Sequence, residues 1–545
     1  MGAIGQILGP LRPECIGAWM SKEVDWSEWA DCDNDIAQVL LQRNEDSQKY
    51  YPRAPEAFIG ESNVVANAAE GDYKFRQLFE LIQNATDAMT PGQDTPAGGR
   101  IAVVLTPNAL YCANQGRPFS SKGFLALTHP YVSGKDDQHA IGQFGVGFRS
   151  VATISDSPEV VSKSCSVRYS RSQILEDWFS DNTELIHELS DKIINHLLYS
   201  IPFDPKTRYQ DDPVMKRLMG WATTIIKLPL DRSAEASYHH LKKSMEEFPP
   251  EFLLFCRHLE ALEFEIQDTE VLAGKFWSFK RAGSIKTRAI SADEKIRCDL
   301  MSIPSSSGSG ENSEWAVFVD SEISLDDLLR GDEDTGLSRA RRKKMDGSYV
   351  PVTLSWAVNV VSPGAQRGHF WFHFPTDDEV SLKGIVNAPW DTNAGRTSLL
   401  SPETNGFNRI LMERLTKLVA AAIPEIGGMT ANDLGRYLDL MPARGDEETS
   451  AAARYFVPEF WRMVGLYDVI PDLDNTFCRP STLSKWPSEI VAGVVQSNSS
   501  AITIAADWST RSRDRKFPHM ATFKNTNRNR RLNDFFNAID EGVES

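Results

Sequence analysis

Glu80, Asn84 and Asp87 stand at i, i+4 and i+7 within Glu80-Leu-Ile-Gln-Asn84-Ala-Thr-Asp87-Ala88. On a helix these three side chains project in one line. Such a line offers a carboxylate that can orient water, an amide oxygen that can ligate Mg²⁺, and a second carboxylate that can accept from an amine. Taken alone, the pattern also describes a solvated helix face. What argues for chemistry is Gly142-Gln143-Phe144-Gly145-Val146-Gly147-Phe148, which begins 54 residues beyond Ala88. Its three glycines allow a tight backbone path whose N–H groups converge on an anion, and a helix following them would add its positive N-terminal end. The two segments together describe a pocket for a nucleotide, a metal ion and a water.

Local patterns indicate how these residues are positioned. Phe75, Leu78, Phe79 and Ile82 recur at helical spacing, predicting an amphipathic helix over Asp72 to Met89. Arg100 to Thr106 and Ala109 to Ala113, joined by Pro107-Asn108, predict a β-hairpin. It runs into Asn114-Gln115-Gly116, a polar turn where glycine lets backbone approach a ligand. Ser133-Gly134-Lys135 is a small polar loop whose lysine suits phosphate oxygens. No strand directly precedes the glycine triplet and no acidic residue follows at the distance of a Rossmann fingerprint. A Walker loop is absent.

Glu80 to Ala88 resembles the N-box of the GHKL ATPases, the group that includes gyrase, the ninety-kilodalton heat-shock chaperones and histidine kinases. Ile141 to Phe148 resembles the chaperones' second glycine box. Ala113 to Phe119, Ser133 to Lys135 and Ile154 to Val161 are closer still to the sacsin-like branch, which includes bacterial proteins. The resemblance covers roughly residues 60–230, with a second island near 374–400. It implies a Bergerat-type α/β sandwich that binds ATP and Mg²⁺; with the downstream patterns the expected class is α+β, with a mixed α/β middle domain and a smaller, mainly helical C-terminal region. By position, Glu80 becomes the general base and Asn84 the Mg²⁺ ligand. Asp87, Ala88, Asn114, Gly116 and Thr224 line the base site. Gly142 to Phe148 cradle the phosphates, and Ser133 to Lys135 belong to a lid. Most of the superfamily has Asp where Asn114 stands, and an amide can either accept from or donate to a base edge. Within Ile385 to Leu400, Arg396 takes the place of the cation that contacts the γ-phosphate.

Length and composition suit a large multidomain chain. At 545 residues about three domains are expected: an arm at 1–60 carrying Trp19, Trp26 and Trp29, the nucleotide domain at 61–232, a middle domain at 233–428, and a C-terminal region at 429–545. Between 233 and 400 the patterns predict helices over Ala234 to Glu247 and Pro250 to Ala261, then strands such as Leu262 to Ile266, Trp315 to Val319, Val352 to Val358 and His369 to Phe374. No apolar run has the length of about 18 residues that a membrane span requires, and no secretory signal is read. Seven scattered cysteines without a C-x-x-C pair favour free thiols and a cytoplasmic setting. A net charge of −17 argues against broad nucleic-acid affinity. Arg339 to Lys344, and the cluster Arg511, Arg513, Arg515, Lys516, Lys524, Arg528, Arg530 and Arg531, read as solvated loops or, for the second, as a docking patch for nucleic acid or an acidic protein.

These readings point to slow, Mg²⁺-dependent ATP hydrolysis coupled to lid closure and domain movement. By family analogy the use is chaperone-like, or a conformational switch in bacterial antiphage or stress defence, with a protein client and an ATP-dependent homodimer. A non-hydrolysing, nucleotide-gated scaffold is the alternative. A sensor kinase is disfavoured, because no histidine-bearing dimerisation helix precedes the N-box.

Overall fold

The computed structural model describes residues 23–29, 32–70, 76–89, 99–128, 147–231, 234–268, 274–290, 295–304, 312–323, 352–359, 366–393, 395–429, 433–444, 448–511 and 515–541. Ser133 to Lys135, Gly142 to Val146 and Arg339 to Lys344 lie outside them. The chain forms two compact units, divided in sequence between Arg281 and Ala282. Both mix helices with mixed sheets.

The first unit contains α1 (Asn34–Tyr50), α2 (Pro55–Glu70), α3 (Gln77–Ala88), β1 (Gly99–Leu105), β2 (Ala109–Asn114), α4 (Ser121–Thr128), β3 (Glu159–Ser162), β4 (Cys165–Tyr169), α5 (Arg171–Phe179), α6 (Thr183–Leu189), β5 (Ser200–Pro202), α7 (Pro205–Tyr209), α8 (Pro213–Met219), β6 (Thr224–Pro229), α9 (Ala234–Glu246), β7 (Leu259–Ile266) and β8 (Lys275–Lys280). Its eight strands run in the order β5-β4-β3-β6-β2-β1-β7-β8. The expected hairpin is present, with Val103 opposite Cys112. Side-chain alternation then separates the two faces. Ala102, Val104, Tyr111, Ala113 and Ile225 join Met215 and Leu218 of α8 in one core. Asp212 caps α8 through the Met215 N–H, which fixes where that cover begins. On the other face Phe264 of β7, level with Val103, meets Phe248, which in turn stacks on Phe79 of α3 at 5.4 Å. That face carries α3.

Because β7 pairs in parallel with β1, the first unit extends to Arg281 rather than ending at 232. Pro250 to Ala261 was expected to be one helix. The structure has a short 3-10 turn, Pro250–Phe255, followed by β7 with alternate residues buried.

Residues 23–50 are fastened to this sheet. Trp29 is in the α8-side core, the Asp33 N–H donates to the Ser164 carbonyl, and Cys32 is disulfide-bonded to Cys165. The expectation of free thiols is therefore wrong for this pair. Two cysteines separated by 133 residues leave no spacing signal in the sequence. Cys112, Cys256, Cys298 and Cys478 are free and buried, and burial pushes the Cys112 thiol up to about 12. Closing so long a loop restricts the unfolded chain, so reduction by a dithiol is expected to cost about 2–4 kcal/mol. A thermal melt with and without reductant checks this. An unchanged midpoint, with both thiols shown by alkylation to be free, counts against the bond as a structural tie.

The second unit contains β9 (Ala282–Ala289), β10 (Ile296–Pro304), β11 (Asn312–Ile323), β12 (Val352–Val358), β13 (Gly368–Phe372), β14 (Phe374–Val380), β15 (Ile385–Asn387), α10 (Gly406–Met429), α11 (Ala451–Val464), β16 (Ile470–Pro471), β17 (Phe477–Cys478), α12 (Ser488–Val495), α13 (Ser499–Arg511) and α14 (Thr526–Glu541). Seven strands run β14-β13-β15-β12-β11-β10-β9, with α10 against β11 and β12. The residues expected to form a separate region beyond 429 belong to this unit. There Trp461 of α11 meets Phe535 of α14 edge-on at 5.1 Å. Among its described residues, part of the basic cluster is paired with acids of the same unit. Arg528 is 3% exposed and grips Asp433 and Asp439, Arg531 pairs with Asp534, and Lys516 pairs with Asp472. Phe517 and Phe523 are core residues. Among the described residues, no helix is long and apolar enough to cross a membrane.

Candidate functional site

The acid/amide line of α3 is not a solvated face. Glu80 is 5% exposed and Asp87 6%, while Asn84 is half-buried. Leu78, Leu81 and Ile82 are buried as well, so the amphipathic α3 is enclosed on its polar side as well as its apolar one. Burying two carboxylates costs several kcal/mol unless polar partners or a ligand compensate. The helix is anchored at both ends. At its start, Gln77 Nε2 donates to Thr153 Oγ1 at 2.9 Å, tying it to the 3-10 turn Gly147–Thr153. At its end, the Ala88 carbonyl accepts from the Arg117 N–H at 2.9 Å.

That second contact brings the Asn114-Gln115-Gly116 turn onto the end of α3. Gly116 has φ +117°, and a Cβ there would lie 2.5 Å from the Ala88 carbonyl oxygen. Only glycine fits, for both reasons. Gly116→Ala is expected to lower stability by about 2–3 kcal/mol and to splay the turn from α3, weakening any ligand shared by Asp87 and Asn114. A melting midpoint equal to wild type would show that the close approach is not real.

Across the sheet, register builds a polar row. Asn114 of β2 pairs with Thr224 of β6, and Thr224 pairs with Ser162 of β3, so all three side chains share the face toward α3. They are 4%, 2% and 0% exposed. Asn114 Nδ2 donates to the Gln115 carbonyl at 2.8 Å, which directs the amide oxygen away as an acceptor. Ser162 Oγ accepts from the Phe119 N–H at 3.0 Å and lies 3.2 Å from Thr224 Oγ1. Sequence reasoning missed Ser162, because a lone serine carries no signal until strand register places it beside Thr224. Below Asp87, Arg281 donates to the Leu253, Cys256 and Arg257 carbonyls and closes the 250–257 segment. Burial holds the Cys256 thiol far above its ordinary range.

The structure thus brings Glu80, Asn84, Asp87 and Ala88 together with Asn114 and Gly116, and sets Thr224 beside Asn114. Gly147 and Phe148 open a seven-residue 3-10 turn rather than a long helix, so any dipole contribution there is small. That turn packs on α2 and α3. Ser133, Gly134, Lys135, Gly142, Gln143, Phe144, Gly145 and Val146 lie outside the described residues.

Arg396 belongs to the second unit. It has φ +54° and is 6% exposed, with its guanidinium 5.2 Å over the Phe372 ring. The loop bearing it is closed by Asn393, whose Nδ2 donates to Thr397 Oγ1 and whose Oδ1 accepts from the Thr397 N–H. Asp378 accepts from the Leu399 N–H at 2.6 Å, and its burial raises the carboxyl above the usual range.

Compared with protein-family models and with curated proteins, this sequence matches none. Among the described residues, no group of three or more His, Cys, Asp or Glu is gathered to hold a metal. The donor set on α3, one half-buried amide between two buried carboxylates, still fits Mg²⁺. That ion commonly takes one or two protein ligands and completes its shell with phosphate and water.

Proposed function

We propose that the first unit binds ATP with Mg²⁺ and hydrolyses it slowly, as a GHKL-type ATPase of the sacsin- and chaperone-like branch with a Bergerat-type nucleotide fold. One observation supports this above the rest: the polar line of α3 is buried, and its end abuts the glycine turn and the Asn114–Thr224 row. In this reading Asp87, Asn114 and Thr224 hold the base, and Asn84 holds the metal, which neutralises phosphate charge when bound. Glu80 orients the attacking water and takes its proton. Gly142 to Phe148 cradle the phosphates, and Ser133 to Lys135 act in a lid. Arg396 is the cation for the γ-phosphate, which requires its guanidinium to leave Phe372. Closure of the lid would couple turnover to domain movement in chaperone-like remodelling or bacterial defence, with a protein client and ATP-dependent pairing of two copies.

A nucleotide-gated scaffold that does not hydrolyse ATP is the second reading. The short anchoring turn at Gly147 and the buried arginine favour slow chemistry over fast. Incubating the purified chain with γ-labelled ATP, with Mg²⁺ or with chelator, separates these outcomes. Free phosphate released only with Mg²⁺ is the expected result. Binding without release selects the scaffold, label on a protein histidine selects a kinase, and no binding ends the nucleotide reading.

A further inference from the structure

Thr224 does not stand alone at the base end. Ser162 Oγ is 3.2 Å from Thr224 Oγ1 and 3.2 Å from Ser164 Oγ, while Ser164 Oγ donates to the Phe119 carbonyl at 2.7 Å. Each hydroxyl has one proton to give and two lone pairs. The 2.7 Å contact to a carbonyl that cannot donate is the strongest link, so it claims the Ser164 proton. The Ser162–Ser164 contact then requires Ser162 to donate. With that proton spent, the Thr224–Ser162 contact requires Thr224 to donate. Ser162 also accepts from the Phe119 N–H, so both its lone pairs are filled. The chain has a single direction: Thr224 to Ser162 to Ser164 to the Phe119 carbonyl.

We infer that Ser162 and Ser164 fix the polarity of the Thr224 hydroxyl, so that this end of the site selects a 6-aminopurine over a 6-oxopurine. The inference rests on the nucleotide reading above and deepens it. With its proton turned inward, Thr224 presents only lone pairs toward the α3 face. Asn114, whose Nδ2 is held by the Gln115 carbonyl, adds a second acceptor beside it. A 6-amino group can donate to this row, whereas a 6-carbonyl meets acceptors and leaves them unsatisfied. Discrimination at Asn114, where the resemblance leaves the base edge open, is thereby set by neighbours that do not touch the ligand. Ser162 and Ser164 are positioning residues.

The test is binding of ADP and IDP, which differ in the purine 6-substituent and in the proton on N1 and avoid turnover, measured by calorimetry on the full chain. Wild type is expected to prefer ADP by at least about tenfold. Ser162→Ala removes the acceptor that holds the Thr224 proton, frees that hydroxyl to donate, and is expected to bring the ratio within about threefold. Ser164→Ala shifts it in the same direction. In the Thr224→Val background, adding Ser162→Ala changes the ratio no further. A purely structural serine would weaken both nucleotides in parallel with the ratio unchanged, which overturns the inference. Equal wild-type affinity for the two also overturns it while leaving nucleotide binding standing. Failure to bind either overturns both.

Discussion

Replacing Glu80 with alanine is expected to leave nucleotide affinity within about threefold of wild type while phosphate release falls by about 10²–10⁴-fold, the usual contribution of a positioned base. The expectation follows from where α3 holds this carboxylate. Glu80 lies one helical turn before Asn84 and is 5% exposed, so its removal takes nothing from the Asp87 end, where the base would rest two turns away. Glu80→Gln is the sharper variant. It keeps shape and packing while removing the charge and the ability to take a proton, so it should match the alanine variant in rate with a melting midpoint closer to wild type than the alanine variant's. If Glu80 were merely a buried structural acid, the order would reverse: the midpoint would move and the rate would not. Release of phosphate at the wild-type rate by Glu80→Gln rules out the general-base role.

Much of this arrangement was legible along the chain, and the divisions are physical. Local signals fixed α3, the β1–β2 hairpin and the glycine turn, because helical period, strand alternation and turn chemistry act over a few residues. The enclosure of α3 was not legible. Glu80 and Asp87 on a polar line suit a solvated face as well as a pocket, and only their burial in the folded chain excludes the first. Strand register lies beyond local reasoning too. Asn114, Ser162 and Thr224 are far apart in sequence and align only through the β2–β6–β3 pairing. The same holds for Cys32 and Cys165, and for β7, whose parallel partner β1 moves the unit boundary to Arg281. In the basic C-terminal stretch, composition suggested a surface patch. The acids that hold Arg528, Asp433 and Asp439, precede it by 95 and 89 residues.

If Arg396 serves the γ-phosphate as proposed, Arg396→Gly is expected to lower phosphate release by about 10²–10³-fold, the cost of withdrawing a charge-stabilising donor from a transition state. Glycine is the informative replacement because Arg396 has φ +54°. A non-glycine residue there carries roughly 1–2 kcal/mol of backbone strain, which glycine removes. The contact over Phe372 at 5.2 Å contributes about 0.5–2 kcal/mol in the opposite direction, so relief of strain offsets part of the cost of removing this buried side chain. Strain of this kind persists only where surrounding bonds over-determine it. The Asn393–Thr397 pair, the Asp377 N–H to the Thr397 carbonyl, and Asp378 to Leu399 supply them. A loop held so firmly to present an arginine in an unfavourable conformation has a function to support, or a core to stabilise. Arg396→Lys separates these. It keeps the charge but lacks the planar fork, so a phosphate role predicts a partial loss of rate. A core role predicts full activity in both variants and a lower midpoint in each.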